Sequence, residues 1–270
     1  MKVTKHSDAA KVDLLKRLNE DVFRLHHQGQ FTQASYAADY AIQKAREEFG
    51  QDHVSLASAY ANRGFIAKEL GEMDDAVELY ELALNVYEKQ EQNIHGKTIV
   101  LQNLGNVLRT LSNDPKQVKN KSQLRARAKS VLEQAVNTIR DSDGQKSLKY
   151  ASALQKLANL NKDLGEFASA EQFLREAITI TQEVDSSSRV LYSVKNDLGL
   201  LLKTRGGAFK EARELYESAV EFAKARFGEN NKETIVYKHN LAELLDSNED
   251  TKEEATKLRL SILLSDANAK

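Results

Sequence analysis

Apolar and small residues recur every three to four positions between His53 and Asn93, and a short polar break after Leu70 divides them into two runs. The first run contains Leu56, Tyr60, Gly64, Ala67 and Leu70, and the second contains Ala76, Leu79, Tyr80, Ala83 and Val86. This spacing is that of one face of a helix, so the segment predicts a helical hairpin. One hairpin cannot bury both apolar faces alone, and we therefore expect neighbours of the same kind.

A triplet of small, bulky and small residues marks the second helix of this hairpin and recurs along the chain. Its five copies keep one internal spacing: Ala34, Ala38, Ala41; Ala76, Tyr80, Ala83; Ala128, Leu132, Ala135; Ala170, Leu174, Ala177; and Ala212, Tyr216, Ala219. Successive copies lie 42, 52, 42 and 42 residues apart, so the period is 42 with an insertion in the third unit. A weaker sixth unit follows with Leu241, Ala242 and Ala255.

The first helices carry a second set of repeated residues: Asn62-Arg63-Gly64 with Gly71, Asn103-Leu104-Gly105, Leu157-Ala158 with Gly165, Leu198-Gly199 with Gly206, and Asn240-Leu241-Ala242. On these residues the chain resembles a tetratricopeptide-repeat (TPR) protein. The 42-residue period, and FGQDH at Phe49 to His53 echoed by FGEN at Phe227 to Asn230, are similar to the longer kinesin-light-chain-like repeats. The resemblance implies an all-α, right-handed α-solenoid of about six stacked antiparallel helix hairpins, forming one superhelical domain over residues 1–270.

Two segments depart from the repeat. Ser112 to Pro115 combines turn formers with the only proline, which predicts a loop insertion over residues 112–123 of the third repeat. The last helix, over residues 252–265, breaks the alanine pattern with charged residues, and we interpret it as a C-terminal capping helix with a polar outer face. His53 and His95 lie one period apart and are predicted to cap or pack the starts of two first helices.

Composition limits the classes of function. The formal net charge is -1, so overall charge does not favour nucleic acid or anionic membranes. There is no cysteine, which excludes disulfides and thiolate metal sites and is typical of a reducing compartment. The N-terminal sequence has no apolar core like a secretory signal, and no apolar run is long enough to span a membrane. We expect a cytoplasmic protein without membrane insertion, with an organelle lumen after processing as the alternative.

The resemblance also implies that the first helices line a concave groove that binds partners. Helical spacing then predicts rows of groove residues relative to the small residue of each first helix. The position three before it contributes Gln102, Gln155 and Asn196, and the next position contributes Asn62, Asn103 and Asn240, which match the asparagines that contact peptides in the family. Amide side chains both donate and accept hydrogen bonds, as binding of an extended peptide backbone requires. The alternative is that these amides are simply tolerated on a wet face.

A row of cations lies four residues after the small residue: Lys68, Arg109, Lys162 and Lys203. Together with Asn106 and Asn159, one residue after the small position, it predicts a polar, basic groove suited to an acidic or carboxylate-bearing peptide. Ordinary ion pairing with a neighbouring helix is the alternative for each cation. Ala61 and Phe65 stand where chaperone-binding relatives carry a carboxylate clamp, so we do not expect binding of chaperone tails.

A basic patch covers the insertion and the start of the following helix. It contains six basic residues and no acidic residue: Lys116, Lys119, Lys121, Arg125, Arg127 and Lys129. Such a run could attract a polyanion, or it could be a solvated loop and exposed helix face. No aromatic residue lies among the cations to stack on bases, which makes a nucleic-acid partner less favoured.

No arrangement of residues points to catalysis. The chain has no GxSxG, no phosphate-binding glycine loop and no HExxH, so we predict no enzyme, no cofactor and no metal site. The sequence favours a protein-protein interaction adaptor that binds a peptide segment or helix in its groove. Two alternatives stay open: a polyanion-associated or nucleic-acid-associated protein that uses residues 116–129, and a regulatory domain that binds a small signalling ligand or a folded partner. Oligomeric state is not predicted.

Overall fold

A computed structural model describes residues 8–89 and 93–267 of the chain. It divides into two compact units, with the boundary between Thr138 and Ile139. Within the described residues all regular structure is helical, which confirms the all-α prediction.

Unit 1 consists of helical hairpins in which an A helix is followed by a B helix. Its A helices are α1 (Asp8–His27), α3 (Val54–Leu70) and α5 (Ile94–Ser112), and its B helices are α2 (Phe31–Phe49), α4 (Met73–Glu88) and α6 (Lys121–Asp143), which continues past the unit boundary. From α1 to α5 each helix packs on the next, and α3 also contacts both α1 and α5. The A helices of unit 1 therefore form one continuous layer.

Unit 2 repeats this arrangement. Its A helices are α7 (Leu148–Leu164), α9 (Arg189–Arg205) and α11 (Lys232–Asp246), and its B helices are α8 (Phe167–Val184), α10 (Phe209–Phe227) and α12 (Lys252–Ala267). Consecutive helices pack together from α7 to α12, and α9 contacts both α7 and α11. The A helices of unit 2 thus also form a layer.

The repeated triplets of the B helices form the core of each hairpin. All fifteen of their side chains are at most 1% exposed, including the large Tyr80 and Tyr216. In three hairpins the bulky member of the triplet faces a glycine of the A helix, namely Tyr80 at Gly64, Leu132 at Gly105 and Tyr216 at Gly199. A Cβ added at Gly64 would lie 3.0 Å from the ring of Tyr80, and one added at Gly105 would lie 2.5 Å from the side chain of Leu132. The small residues are therefore required by packing, because they give the bulky side chains room.

The turns follow the capping chemistry of the sequence. Gly71 ends α3 with φ 81° and ψ 7°, a left-handed conformation that glycine adopts without strain. His53 caps α3 by accepting a hydrogen bond from the N–H of Ser55 at 3.2 Å, and it stacks on Phe49 with ring centroids 4.3 Å apart. At the start of α5 the cap is Asn93 rather than His95, which lies exposed within the first turn of the helix. The histidines of the two repeats thus have different roles.

Two segments differ in detail from the expectation. In the insertion, α5 ends at Ser112 and α6 begins at Lys121, so the last three residues of the predicted loop are helical, and Pro115–Gln117 form a short 3-10 helix. The expected polar face of the last helix is interrupted by Leu260 and Leu263, which are 57% and 65% exposed. The predicted tail at residues 266–270 lies largely outside the described residues.

We expect Gly105→Ala to lower the free energy of unfolding by about 1–2 kcal/mol, because the new methyl group would overlap the fully buried Leu132. Gly64→Ala is the matched control. There the nearest atoms are at 3.0 Å, and the better helix propensity of alanine offsets the strain, so the change should stay below about 1 kcal/mol. Urea unfolding followed by circular dichroism measures both. Equal effects of the two substitutions would contradict this account of the packing.

A second prediction concerns two buried tyrosines of α4. Among the described residues the hydroxyl of Tyr80 has no hydrogen-bond partner, whereas the hydroxyl of Tyr87 lies 3.2 Å from Oγ of Ser58. An unpaired buried hydroxyl destabilises a fold by about 1–3 kcal/mol, so Tyr80→Phe should raise the thermal midpoint. Tyr87→Phe should lower it, because it removes a hydrogen bond of about 1 kcal/mol. A loss of stability in Tyr80→Phe as large as that in Tyr87→Phe would contradict the prediction.

Candidate partner-binding surface

A cleft of about 420 Å³ opens between α1 and α3 on the A-helix face of unit 1. Val12 and Phe23 provide its apolar wall and are 51% and 39% exposed. Asn19 and Glu20 of α1, which are equivalent to Gln102 and Asn103 of the third repeat, also line it, together with Ser58 of α3. The cleft thus has apolar and polar walls, and none of the groove residues predicted from helical spacing is among its lining residues.

The amides of unit 1 fall into two groups. Nδ2 of Asn62 donates to Oδ1 of Asn19 at 2.7 Å, which joins α3 to α1. Gln102 and Asn103 of α5 are half-buried, and their side chains have no hydrogen-bond partner among the described residues. Since an amide offers both donors and an acceptor, these two side chains are available to a bound chain.

Next to the cleft, aromatic rings and charges form a compact cluster. Phe65 lies between Phe23 and His26, with centroid distances of 6.2 and 4.9 Å. Lys68 places Nζ 5.0 Å from the ring of Phe65 and 2.8 Å from a carboxylate oxygen of Glu69. The cation predicted to face the groove here is therefore largely neutralised by its neighbour in sequence.

Asn106 and Arg109, also predicted groove residues, lie together on α5. Oδ1 of Asn106 accepts from two nitrogens of Arg109 at 3.4 and 3.3 Å. Both side chains are half-buried. The amide holds the guanidinium along its own helix, since the two residues are three positions apart and share a helix face.

In unit 2 most of the predicted groove residues bind a side chain of an adjacent A helix. Asp197 of α9 accepts from Nε2 of Gln155 at 2.7 Å and from Nδ2 of Asn159 at 2.6 Å, so it anchors two amides of α7. Asn196 accepts from Nδ2 of Asn240 at 2.8 Å, which joins α9 to α11. Asp197 stands at a position where the resemblance implied asparagine, and its charge strengthens both hydrogen bonds. The A-helix layer of unit 2 is held together by these side chains.

The remaining cations of unit 2 behave differently from each other. Lys203 of α9 pairs with Glu243 of α11, and this contact holds the pKa of the Glu243 carboxyl below its ordinary value. Lys162 of α7 is half-buried and has no ion-pair partner in the described part of the chain. Lys203 therefore forms the ion pair with a neighbouring helix that was the alternative to a groove position. For Lys162 the prediction of a groove cation stays open.

The basic patch is partly engaged within unit 1. Arg127 pairs with Glu81 of α4, and Arg125 donates to Asn113 at 3.5 Å. The side chains of Lys116, Lys119 and Lys121 are exposed and have no ion-pair partner among residues 8–89 and 93–267. The unpaired positive charge is thus concentrated at the inserted loop.

Sequence reasoning missed part of the surface. The apolar wall at Val12 and Phe23 was not predicted, although Phe23 holds in the first repeat the position of Asn106 and Asn159, where helical spacing already places groove residues. The role of Asp197 as a hydrogen-bond centre was also missed, because an acceptor for two amides requires knowing which side chains of adjacent helices meet. Spacing along one helix does not contain that information.

No helix among the described residues combines the length and apolarity needed to cross a bilayer. Their histidine, aspartate and glutamate side chains form no group of three or more that could hold a metal ion.

Comparisons with known proteins bear on family and fold. Residues 57–90 and 151–184, one segment in each unit, match family models of the tetratricopeptide repeat. No curated protein matches the sequence. The nearly identical TPR-like repeats of a Podosopora anserina protein assigned as a kinesin light chain match with a TM-score of 0.59 and 18% identity, over 81% of this chain and 99% of that one.

Two further solved structures are similar in fold. The apo form of RapI matches with a TM-score of 0.70 and 14% identity, over 93% of this chain and 83% of that chain. A Rap protein in complex with competence and sporulation factor matches with a TM-score of 0.66 and 15% identity, over 93% and 68%. The two matched segments are tetratricopeptide repeats, and the fold of the chain is similar to that of kinesin-light-chain-like repeats.

Proposed function

We propose that the chain is a non-enzymatic protein-interaction adaptor, and that the A-helix face of unit 1 binds an extended peptide segment of a partner protein. The observation that carries this proposal is the cleft between α1 and α3, which combines the exposed apolar side chains of Val12 and Phe23 with the polar ones of Asn19 and Ser58. Exposed apolar side chains beside polar groups are typical of binding surfaces.

The amides of α5 extend the recognition surface. Gln102 and Asn103 are half-buried without a hydrogen-bond partner in the described residues, so each can donate to and accept from a peptide backbone. A backbone presents one donor and one acceptor at each residue, and amide side chains match both. Binding would then combine an apolar side chain in the cleft with backbone hydrogen bonds on α5.

The corresponding face of unit 2 has a different balance. There Gln155 and Asn159 bind Asp197, and Asn240 binds Asn196, so a partner would have to replace hydrogen bonds that already exist. Such an exchange yields little net free energy. We therefore assign partner binding to unit 1, and we assign to the amides of unit 2 the joining of adjacent A helices.

Charge has a secondary role in this proposal. Lys68 contacts Glu69 and Lys203 contacts Glu243, which reduces the positive field of the predicted cation row. A preference for acidic peptides would depend on Arg109 in unit 1. A protein of the same fold has been crystallised with competence and sporulation factor, which supports a binding role for such a scaffold.

Peptides that bind the whole chain can be selected from a random displayed library. We expect the Phe23→Ala variant to bind these peptides at least about tenfold more weakly than the wild-type chain does. Gln102→Ala and Asn103→Ala together should have a similar effect, because they remove the amides that would bind the peptide backbone. Tyr36→Ala is the matched control, since Tyr36 is an aromatic residue of α2 that is 71% exposed. Fluorescence anisotropy with labelled peptides measures each affinity. Peptides that lose affinity for Tyr36→Ala but not for the A-helix variants would refute the proposal.

For unit 2, Asp197→Ala should lower the free energy of unfolding by about 1–3 kcal/mol, because the half-buried amide of Asn159 loses its acceptor and that of Gln155 keeps only Oγ of Ser193. Lys162→Ala, on the same layer and without an ion-pair partner among the described residues, should change it by less than about 0.5 kcal/mol. Thermal unfolding followed by circular dichroism compares the two. If Asp197→Ala were as stable as Lys162→Ala, the amides of unit 2 would not serve the fold.

A further inference from the structure

An apolar groove of about 480 Å³ lies in unit 2 between the B helices α10 and α12. Val220, Leu241 and Leu258 supply its apolar lining. Leu241 is buried, whereas Val220 and Leu258 are half-buried and face the open groove. The B helices α10 and α12 supply all of its lining residues except Leu241, which belongs to the A helix α11.

The rim of the groove carries an excess of negative charge. Arg213 donates to Glu217 at 2.7 Å and to Glu254 at 2.9 Å, so one guanidinium serves two carboxylates. Glu221, also on the rim, is exposed and has no ion-pair partner in the part of the chain that the structure describes. The rim cation Lys257 is already held by Glu253 at 2.6 Å.

At the preceding pair of B helices, the numbers of positive and negative side chains in the corresponding ion pairs are equal. Between α8 and α10, Arg175 contacts both Glu171 and Glu211 at 2.8 Å, and Arg205 contacts Glu171 as well. Two guanidiniums there meet two carboxylates. The excess of carboxylates between α10 and α12 is therefore a property of that groove and not of the repeat.

Unit 1 carries the complementary feature on its inserted loop. Val118 is 72% exposed, and the side chains of Lys116, Lys119 and Lys121 around it are exposed without an ion-pair partner among the described residues. The loop has a defined conformation, because Oδ1 of Asp114 accepts from the N–H of Lys116 at 2.8 Å. It presents one apolar side chain surrounded by cations, whereas the groove presents an apolar floor surrounded by carboxylates.

We propose that the groove between α10 and α12 binds the inserted loop of a second copy of this chain, with Val118 on the apolar lining and the lysines facing Glu217, Glu221 and Glu254. Opposite charges around a small apolar contact set the orientation of docking and accelerate encounter. Loop and groove are different surfaces, so the contact is heterologous. Its small size and exposed charges make the association weak, reversible and sensitive to salt.

Sedimentation velocity over a range of protein concentrations tests this proposal with the whole chain. Wild-type protein should associate as concentration rises, and raising NaCl from about 50 to about 500 mM should weaken association at least about tenfold. Lys116→Glu/Lys119→Glu on the loop, and Glu221→Lys/Glu254→Lys on the groove, should each abolish association alone. Mixing the two variants should restore it, because each acidic surface then meets a basic one.

Two further variants separate this contact from general surface charge. Val118→Ser keeps all charges and should weaken association about tenfold, whereas Glu133→Lys, an exposed charge reversal on α6, should change it less than about twofold. Circular dichroism confirms that each variant is folded. A chain that stays monomeric at every concentration and low salt would overturn the proposal. Association that persists in the loop and groove variants, or mixed variants that fail to associate, would overturn it as well.

Discussion

The fold depends on one kind of contact, the close approach of an A helix and its B helix at a glycine, which three of the hairpins share. Gly64 lies against Tyr80, Gly105 against Leu132 and Gly199 against Tyr216, and each of these bulky side chains is at most 1% exposed. The contact fixes which side of each A helix faces its B helix, since a bulky side chain can be buried completely only opposite the small residue. The opposite side of the A helix is then free for other roles.

Fixing the rotation of the A helices has a direct consequence for their polar residues. Amides from neighbouring rows of successive A helices come within hydrogen-bond distance of one another, as Asn62 and Asn19 do in unit 1 and Asn240 and Asn196 do in unit 2. Each such amide can either join two helices or contact a partner. In unit 2 the carboxylate of Asp197 decides this in favour of the fold, because a charged acceptor binds two amides more strongly than a neutral one would.

Periodicity and spacing were sufficient to predict the hairpins from the sequence. The alanine triplets, the glycine caps and the turn residues all depend on local geometry, which is why α5 ends at Ser112, the residue at which the inserted loop was predicted to begin. The candidate site was predicted only as rows of positions. Whether Lys203 faces a partner or pairs with Glu243 depends on the side chain that the next helix supplies, and helical spacing cannot determine that choice.

Positive and negative charges are concentrated in different parts of the chain, although its net charge is close to zero. The formal value is -1, yet Lys116 to Lys129 contains six cations and no anion, while the groove between α10 and α12 has three carboxylates around an apolar lining. At physiological ionic strength, charges on the surface are screened beyond about 8 Å, less than the length of two helical turns. Each patch therefore acts on its own surroundings, and local sequence is a better guide to the partners of this protein than its overall charge.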